Sequence, residues 1–310
     1  MTGVGSLRLG TRGSALAMAQ AGAVAKALRE VTGGEVELVE VTTTGDVSRA
    51  AVEQLGGTGV FVSELRDRLL AGDLELAVHS LKDLPTAPAP GLVVAAVPAR
   101  EDPRDVLVAR GGATLGELPP GSRIGTGAPR RAAQLRALGL GLEVVPIRGN
   151  VDTRLAKVAA GEVDAVVLAR AGLARLGRLD EATEVLDPML MLPAPGQGAL
   201  AVECRADAPG IAAAIAALDD PRGRATVLAE RSLLAALEAG CTAPVGAHAV
   251  VAEADDGYEI YLRAVVTALD GSADLRSSAT GPVDEAEAIG RRLAADLLEA
   301  GAADLMGIRP

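Results

Sequence analysis

The segment His79-Ser80-Leu81-Lys82-Asp83 sets a carboxylate beside an ammonium directly after the apolar stretch Leu76 to Val78. At the carboxyl end of a strand, where open α/β sheets bind ligands, such a pair can serve as acid, base or stabiliser of a developing cation. The same residues also fit a solvated loop with an incidental Lys–Asp pair. Gly125-Thr126-Gly127-Ala128-Pro129-Arg130-Arg131 reads as a strand-to-helix turn. Proline at the first helical position and open backbone N–H groups make an anion pocket, which paired arginines deepen. Arg148-Gly149-Asn150-Val151-Asp152-Thr153-Arg154 repeats the pattern. Each alone also fits a helix start with solvated arginines; two in one run favour anion binding. Cys241 lies between a helix and a strand in Glu238-Ala-Gly-Cys-Thr-Ala-Pro244. Gly240 is expected to end the helix, so the thiol sits on a loop, either as a nucleophile or as an inert side chain. Cys204 falls in a strand and reads as a small buried hydrophobe.

The composition narrows the chemistry. The 310 residues carry a formal charge of −11, with 49% hydrophobic and 23% charged residues. At roughly 150 residues per domain that suggests two or three folded domains. No apolar run approaches the roughly 20 residues that cross a bilayer. The start, Met1 to Arg8, lacks a basic segment followed by an apolar core, so a soluble cytoplasmic protein is expected. The acidic balance and the three aromatics (Phe61, Tyr258 and Tyr261) speak against nucleic acid, which needs a basic face and stacking platforms. The lysines are Lys26, Lys82 and Lys157, none in a P-loop context. His79 and His248 stand outside any HExxH, the cysteines lack zinc spacing, and no metal site is expected. Neither GxSxG nor a helix-opening GxGxxG occurs.

All but three of the 30 basic residues are therefore arginines. Codon bias explains much of that. From Arg123 to Arg175, however, nine basic residues face four acidic ones, a local excess of +5 in an acidic chain. Arginine holds carboxylates bidentately and stays charged, so this stretch suits a polycarboxylate ligand.

The elements that must position these residues alternate as βαβα. Leu7 to Leu9 reads as a strand. Ser14 can cap a helix whose Leu16, Ala19, Ala23, Ala27 and Val31 keep helical spacing. Val36 to Val41 is a strand, Thr43 to Thr58 a long loop and possible lid, and Val62 to Ala71 a helix ended by Gly72. Strands follow at Leu76 to Val78 and Leu92 to Val97. Glu101 to Asp105 looks like a crossing between domains. Then come a strand ending at Ile124, a helix from Pro129, strands Val144 to Ile147 and Val163 to Leu168, and between them a helix from Val151 to Ala160. Leu192 to Gly196 is a rigid return and Leu200 to Glu203 a strand. A helix over Arg224 to Ala239, antiparallel strands Val245 to Ala252 and Tyr258 to Ala268, and an amphipathic helix Asp284 to Glu299 make the last third α+β.

In order and spacing these segments resemble the porphobilinogen deaminase (hydroxymethylbilane synthase) family over nearly the whole chain. The carrying motifs are Gly10-Thr-Arg-Gly-Ser-Ala-Leu-Ala17, Ala77-Val-His-Ser-Leu-Lys-Asp-Leu-Pro85, Arg100-Glu-Asp-Pro-Arg-Asp105, Gly125-Thr126 with Arg130-Arg131, Arg148-Gly-Asn150 with Thr153-Arg154, Ala171-Gly-Leu173, Leu192-Pro-Ala-Pro-Gly-Gln-Gly198 and Gly240-Cys241. The resemblance implies an α/β fold: two lobes like those of type II periplasmic binding proteins, with the site in the cleft between them, plus a small α+β C-terminal domain. The implied domains are 1–99 with 197–218, then 104–193, then 222–310. The implied enzyme is a transferase of tetrapyrrole (haem) biosynthesis that condenses four porphobilinogens to hydroxymethylbilane with loss of ammonia.

It further implies a dipyrromethane cofactor held by a thioether at Cys241. Asp83 matches the catalytic aspartate and Lys82 its neighbour. Ser80, Lys82, Asp83, Thr126, Arg130, Arg131 and Gly172 match cofactor-binding positions. Arg12, Ser14, Arg148, Arg154, Arg175 and Gln197 match positions that bind substrate. The implied partners are porphobilinogen and the growing linear pyrrole chain, without nucleic acid or membrane, and the implied state is a monomer. Gln54, Thr58 and Gly127-Ala128-Pro129 depart from common family patterns, and Phe61 matches a family aromatic. The α/β pattern alone also fits a two-lobed anion-binding module. Gly240-Cys241 and Lys82-Asp83 favour the enzyme.

Overall fold

The structure is a computed structural model and describes residues 6–43, 62–240, 243–254 and 257–307. The chain forms two compact units, Met1–Glu101 with Ala199–Arg224 and Asp102–Gly198 with Ala225–Pro310.

The first unit is built on a five-stranded sheet. Its strands are β1 (Leu7–Thr11), β2 (Val36–Glu40), β3 (Leu76–Ser80), β4 (Leu92–Ala96) and β10 (Leu200–Arg205), in the order β2-β1-β3-β10-β4. β2, β1 and β3 run parallel, with Leu9 opposite both Leu38 and Leu76. β10 returns antiparallel between β3 and β4. Helix α1 (Ala15–Thr32) starts at Ser14, whose hydroxyl accepts from Ala17 N as expected. Its buried face is Gln20, Ala21, Val24, Ala25 and Leu28. The stripe expected from spacing was a different one, and Val31 is exposed. An alanine-rich helix is apolar all round, so its periodicity marks no unique face. Helix α2 (Ser63–Ala71) stops where Gly72 takes φ 79°.

The second unit contains a sheet with the same strand directions. β5 (Asp105–Ala109), β6 (Arg123–Thr126), β7 (Glu143–Pro146), β8 (Ala165–Ala169) and β9 (Glu184–Val185) run in the order β7-β6-β8-β5-β9. β7, β6 and β8 are parallel; β5 is antiparallel to both β8 and β9. Each sheet thus has three parallel strands, one antiparallel strand and an edge. The antiparallel strand of the first sheet comes from the late return, and that of the second from the early crossing. Helices α3 (Pro129–Ala137), α4 (Val151–Ala159) and α5 (Arg170–Arg175) each follow a strand of the parallel trio.

Helix α6 (Pro209–Ala216) belongs to the first unit. Beyond it, α7 (Pro221–Ala236) leads to an antiparallel sheet of β11 (Val245–Ala254), β12 (Gly257–Thr267) and β13 (Asp274–Pro282), then α8 (Ala286–Glu299) and α9 (Ala302–Met306). One apolar core joins this sheet to its helices, through Leu233, Leu237, Ile260, Leu262, Ile289 and Leu293. α8 crosses α7 closely at Gly290, where an added Cβ would stand 2.3 Å from Ala229 O. Gly240 does not end α7. The helix stops at Ala236, and Glu238 takes the left-handed turn at φ 52°. Ala239 N bonds Leu234 O and Glu238 N bonds Ala235 O, the paired bonds of a Schellman cap.

Candidate active site

The first group of predicted residues gathers at the carboxyl ends of the adjacent parallel strands β1 and β3. β3 runs straight into a 3-10 turn, Leu81–Asp83. Leu81 and Leu84 are buried on either side of the charged pair. Leu81 N donates to Ala199 O at 3.0 Å and Leu84 N to Leu81 O at 3.1 Å. Two apolar anchors thereby fix the turn and leave Lys82 and Asp83 half-buried between them. Ser80 Oγ pairs with the amide of buried Gln20 on α1, at 3.1 Å from Nε2. Arg12 and Ser14 occupy the turn from β1 into α1, and Arg12 is half-buried. Ser14 spends its hydroxyl on the helix cap.

The second group lies at the carboxyl ends of β6, β7 and β8. Thr126 closes β6 and accepts from Ala128 N at 3.2 Å. Gly127 fits because a Cβ there would meet Ile147 O at 2.7 Å, with Arg154 Nη2 3.9 Å away. Arg148 follows β7 and is exposed. Asn150 caps α4, and Arg154 Nε donates to Gly149 O at 2.8 Å. Burial, with like charge from Arg131 and Arg148, pulls the Arg154 guanidinium down to about 10. A cation crowded by cations gains from an anion. Gly172 is buried in α5, and Arg175 Nη2 reaches Gly198 O at 2.6 Å.

Arg130, Arg131 and Gln197 turn inward. Arg130 Nη2 lies 2.9 Å from Asp105 Oδ2, and Arg131 Nη2 2.8 Å from Oδ1. Gln197 Nε2 donates to Asp105 Oδ1 and to Pro103 O, both at 2.7 Å. Sequence reasoning placed Asp105 in a crossing; it is the first residue of a buried strand. Its carboxylate, exposed nowhere, was detectable only as an acid preceding the apolar run Val106 to Val108. Two further buried acids were missed. Glu203 on β10 receives the Arg66 fork at 3.0 and 2.8 Å, with His79 Nε2 3.3 Å away. Glu230 on α7 accepts from Gly196 N at 2.7 Å and Ala249 N at 2.8 Å. Cys241, Gln54, Thr58 and Phe61 lie outside the described residues, as does most of the expected lid.

Arg12, Lys82 and Asp83 thus stand at the carboxyl ends of the first parallel trio, and Thr126, Arg148 and Arg154 at those of the second, in an α/β chain. Comparison with known proteins makes this specific. The family described as "Porphobilinogen deaminase, dipyromethane cofactor binding domain" matches residues 7–213, and "Porphobilinogen deaminase, C-terminal domain" matches residues 224–299. Porphobilinogen deaminase 1 of Streptomyces coelicolor is 61% identical, over 98% of this chain and 98% of that protein. Porphobilinogen deaminase of Nocardia farcinica is 60% identical over 97% and 88%, and that of Mycobacterium tuberculosis 58% over 98% and 99%. Among solved structures, the methionine binding protein MetQ matches at TM-score 0.42 and 13% identity, covering 69% of this chain and 89% of that one. A periplasmic substrate-binding protein from Coxiella burnetii matches at 0.45 and 14%, covering 72% and 94%.

The chain belongs to the porphobilinogen deaminase family. Its activity is that of hydroxymethylbilane synthase in tetrapyrrole biosynthesis, and it carries the family's dipyrromethane cofactor domain. The donor set fits such a cofactor. Each of its pyrroles bears an acetate and a propionate, and the arginines crowded around Arg154 offer the opposite charge. No helix among the described residues is long and apolar enough to cross a membrane.

Proposed function

We propose that this chain condenses porphobilinogen units head to tail with Asp83 as the catalytic carboxylate and Lys82 beside it. The observation that carries the reading is the turn itself: a half-buried acid and lysine anchored by Leu81 and Leu84 at the end of a buried central strand. Loss of ammonia leaves positive charge on the substrate pyrrole. A carboxylate held in place facing the pyrrole N–H stabilises that charge without reorganising. The same carboxyl can protonate the departing amine and later accept the proton released when the new bond forms. Dipyrromethane, when bound, supplies the primer on which the chain is built.

Cys241 would hold that primer, since a thiolate is a strong soft nucleophile and its C–S bond outlasts turnover. Ser80, Thr126, Arg130, Arg131 and Gly172 would hold the primer's polar groups. Arg12, Ser14, Arg148, Arg154 and Arg175 would receive substrate carboxylates, which without partners are costly to take out of water. Gln197, which the resemblance places in the same set, donates instead to Asp105 Oδ1 and Pro103 O. We further infer three domains, 1–99 with 197–218, 104–193 and 222–310, because the three segments have their own sheets and cores. A free buried thiol at Cys204 suits a reducing, cytoplasmic location, and the enzyme acts as a monomer without nucleic-acid or membrane partners.

The test is Asp83→Asn, which keeps the side chain's shape and removes its charge. The variant is expected to fold with an unchanged circular-dichroism spectrum and to lose turnover by at least about 100-fold, the lower range for a lost acid–base group. Elongation at the normal rate would refute the assignment.

A further inference from the structure

Asp105 takes no part in the proposed reaction, yet its wholly buried carboxylate receives four side-chain hydrogen bonds. It opens β5, is wholly buried, and receives side-chain donors on both oxygens. Arg130 takes Oδ2 at 2.9 Å; Arg131 takes Oδ1 through Nη2 at 2.8 Å and Nε at 3.2 Å. Gln197 adds a bond to Oδ1 at 2.7 Å. The guanidiniums are fixed from behind as well, by Arg130 Nη1 to Leu192 O at 2.5 Å and Arg131 Nη1 to Val167 O at 3.1 Å.

Burial alone would raise the Asp105 carboxyl; the charges of Arg130 and Arg131, with bonds from Arg131 and Gln197, hold it well below the usual carboxylate range. One anion between two cations leaves a net charge of +1. Two buried guanidiniums with no anion would repel and splay; with two anions they would have no charge left for a ligand. A single carboxylate keeps both forks in place and still attractive to one more carboxylate.

We propose that Asp105 is a positioning residue that sets Arg130 and Arg131 for carboxylate binding, and that Gln197 acts through Asp105 rather than by touching substrate. The inference rests on the assignment of Arg130 and Arg131 to cofactor carboxylates. The network continues beyond Gln197. Its neighbour Gly196 donates to Glu230, whose other oxygen accepts from Ala249 N. Glu230 sits on α7, the helix that leads toward Cys241. The return Leu192 to Gly198 is thus bonded at one end to the arginine pair and at the other to that helix.

The test uses full-length Asp105→Asn, Gln197→Met, Arg131→Gln and the double variant Asp105→Asn/Arg131→Gln. Intact mass follows cofactor acquisition during incubation with porphobilinogen, and steady-state kinetics follow the loaded fraction. Asp105→Asn is expected to slow acquisition and raise KM at least tenfold, with kcat changing less than threefold. In the double variant it should add nothing to the Arg131→Gln loss. Gln197→Met, which removes a single donor, is expected to raise KM about threefold. It carries the test if Asp105→Asn does not fold. A lowered unfolding temperature with KM and acquisition within twofold of wild type in both variants would overturn the proposal. So would losses that multiply in the double variant. Normal acquisition and KM in Arg131→Gln alone would instead sink the underlying assignment of Arg131 to a cofactor carboxylate, and this inference with it.

Discussion

Removing Arg66 should destabilise the protein in a way that depends on pH. Glu203 is buried, and its two oxygens accept the Arg66 fork at 3.0 and 2.8 Å. Its other ionisable neighbour, His79, stands at 3.3 Å. Burial works to raise the Glu203 carboxyl, but bonding to His79 and Arg66 outweighs it and holds the group below its usual range. Breaking a buried pair costs about 3–5 kcal/mol because a charge is left without its partner. Arg66 keeps 17% of its side chain exposed, so the lower end, about 3 kcal/mol, applies. For a 310-residue chain that corresponds to a fall of roughly 5 °C in the unfolding midpoint.

The sign with pH follows from linkage. In the wild type the depressed carboxyl contributes stability above its unfolded value of about 4.3, and that contribution is lost as pH falls through the lower folded value. In Arg66→Met the carboxyl rises relative to the wild type, because the guanidinium no longer opposes burial and only the His79 contact remains to do so. The variant's penalty is then larger at pH 8 than at pH 5, because its raised carboxyl loses less by protonation as pH falls. Thermal unfolding at both pH values, read by circular dichroism, checks this. Adding Glu203→Gln to Arg66→Met should recover most of the loss at pH 8. A midpoint within about 1 °C of wild type at pH 8, less than the shift from 1 kcal/mol, would refute the reasoning. So would an equal loss at both pH values.

Two other substitutions test separate parts of the account. Arg154→Leu removes a charge that its surroundings disfavour, so the protein should gain about 1 kcal/mol in stability while its KM for porphobilinogen rises. Denaturant unfolding and steady-state kinetics read the two effects, and a loss of stability would contradict the crowded-cation picture. Gly290→Ala sets a Cβ 2.3 Å from Ala229 O and 2.8 Å from Leu233 N, both backbone atoms that cannot swing aside. Overpacking of about 2–3 kcal/mol should exceed the ~1 kcal/mol gained in helix propensity, lowering the unfolding midpoint; an unchanged midpoint would mean the helices do not cross this closely.

The sequence read most clearly where local chemistry decides. Ser14 at a cap, Pro129 at a first helical position and Gly72 at a helix end act within a few residues, and each acts as expected. The strand ends carrying Lys82-Asp83, Thr126 and Arg148 were legible for the same reason. What escaped depends on partners far along the chain. Spacing cannot tell whether Arg130 and Arg131 face a ligand or Asp105, 25 and 26 residues away. β13 reads Asp-Leu-Arg-Ser-Ser-Ala-Thr-Gly-Pro and has no apolar alternation to betray it; pairing with β12 makes it a strand. β5 was hidden behind Asp102-Pro103, which read as a crossing. Glu238 in the left-handed turn carries no glycine to announce it.

The central claim is that Cys241 carries a primer made from the enzyme's own substrate. The denatured intact mass of the purified protein, measured beside Cys241→Ser, tests it most directly. The account predicts that the wild type exceeds its sequence mass by two porphobilinogens less two ammonias, either as purified or after incubation with porphobilinogen. Cys241→Ser should stay at its sequence mass under both conditions. A wild type that remains unmodified after incubation, or a serine variant that gains the same adduct, would contradict it.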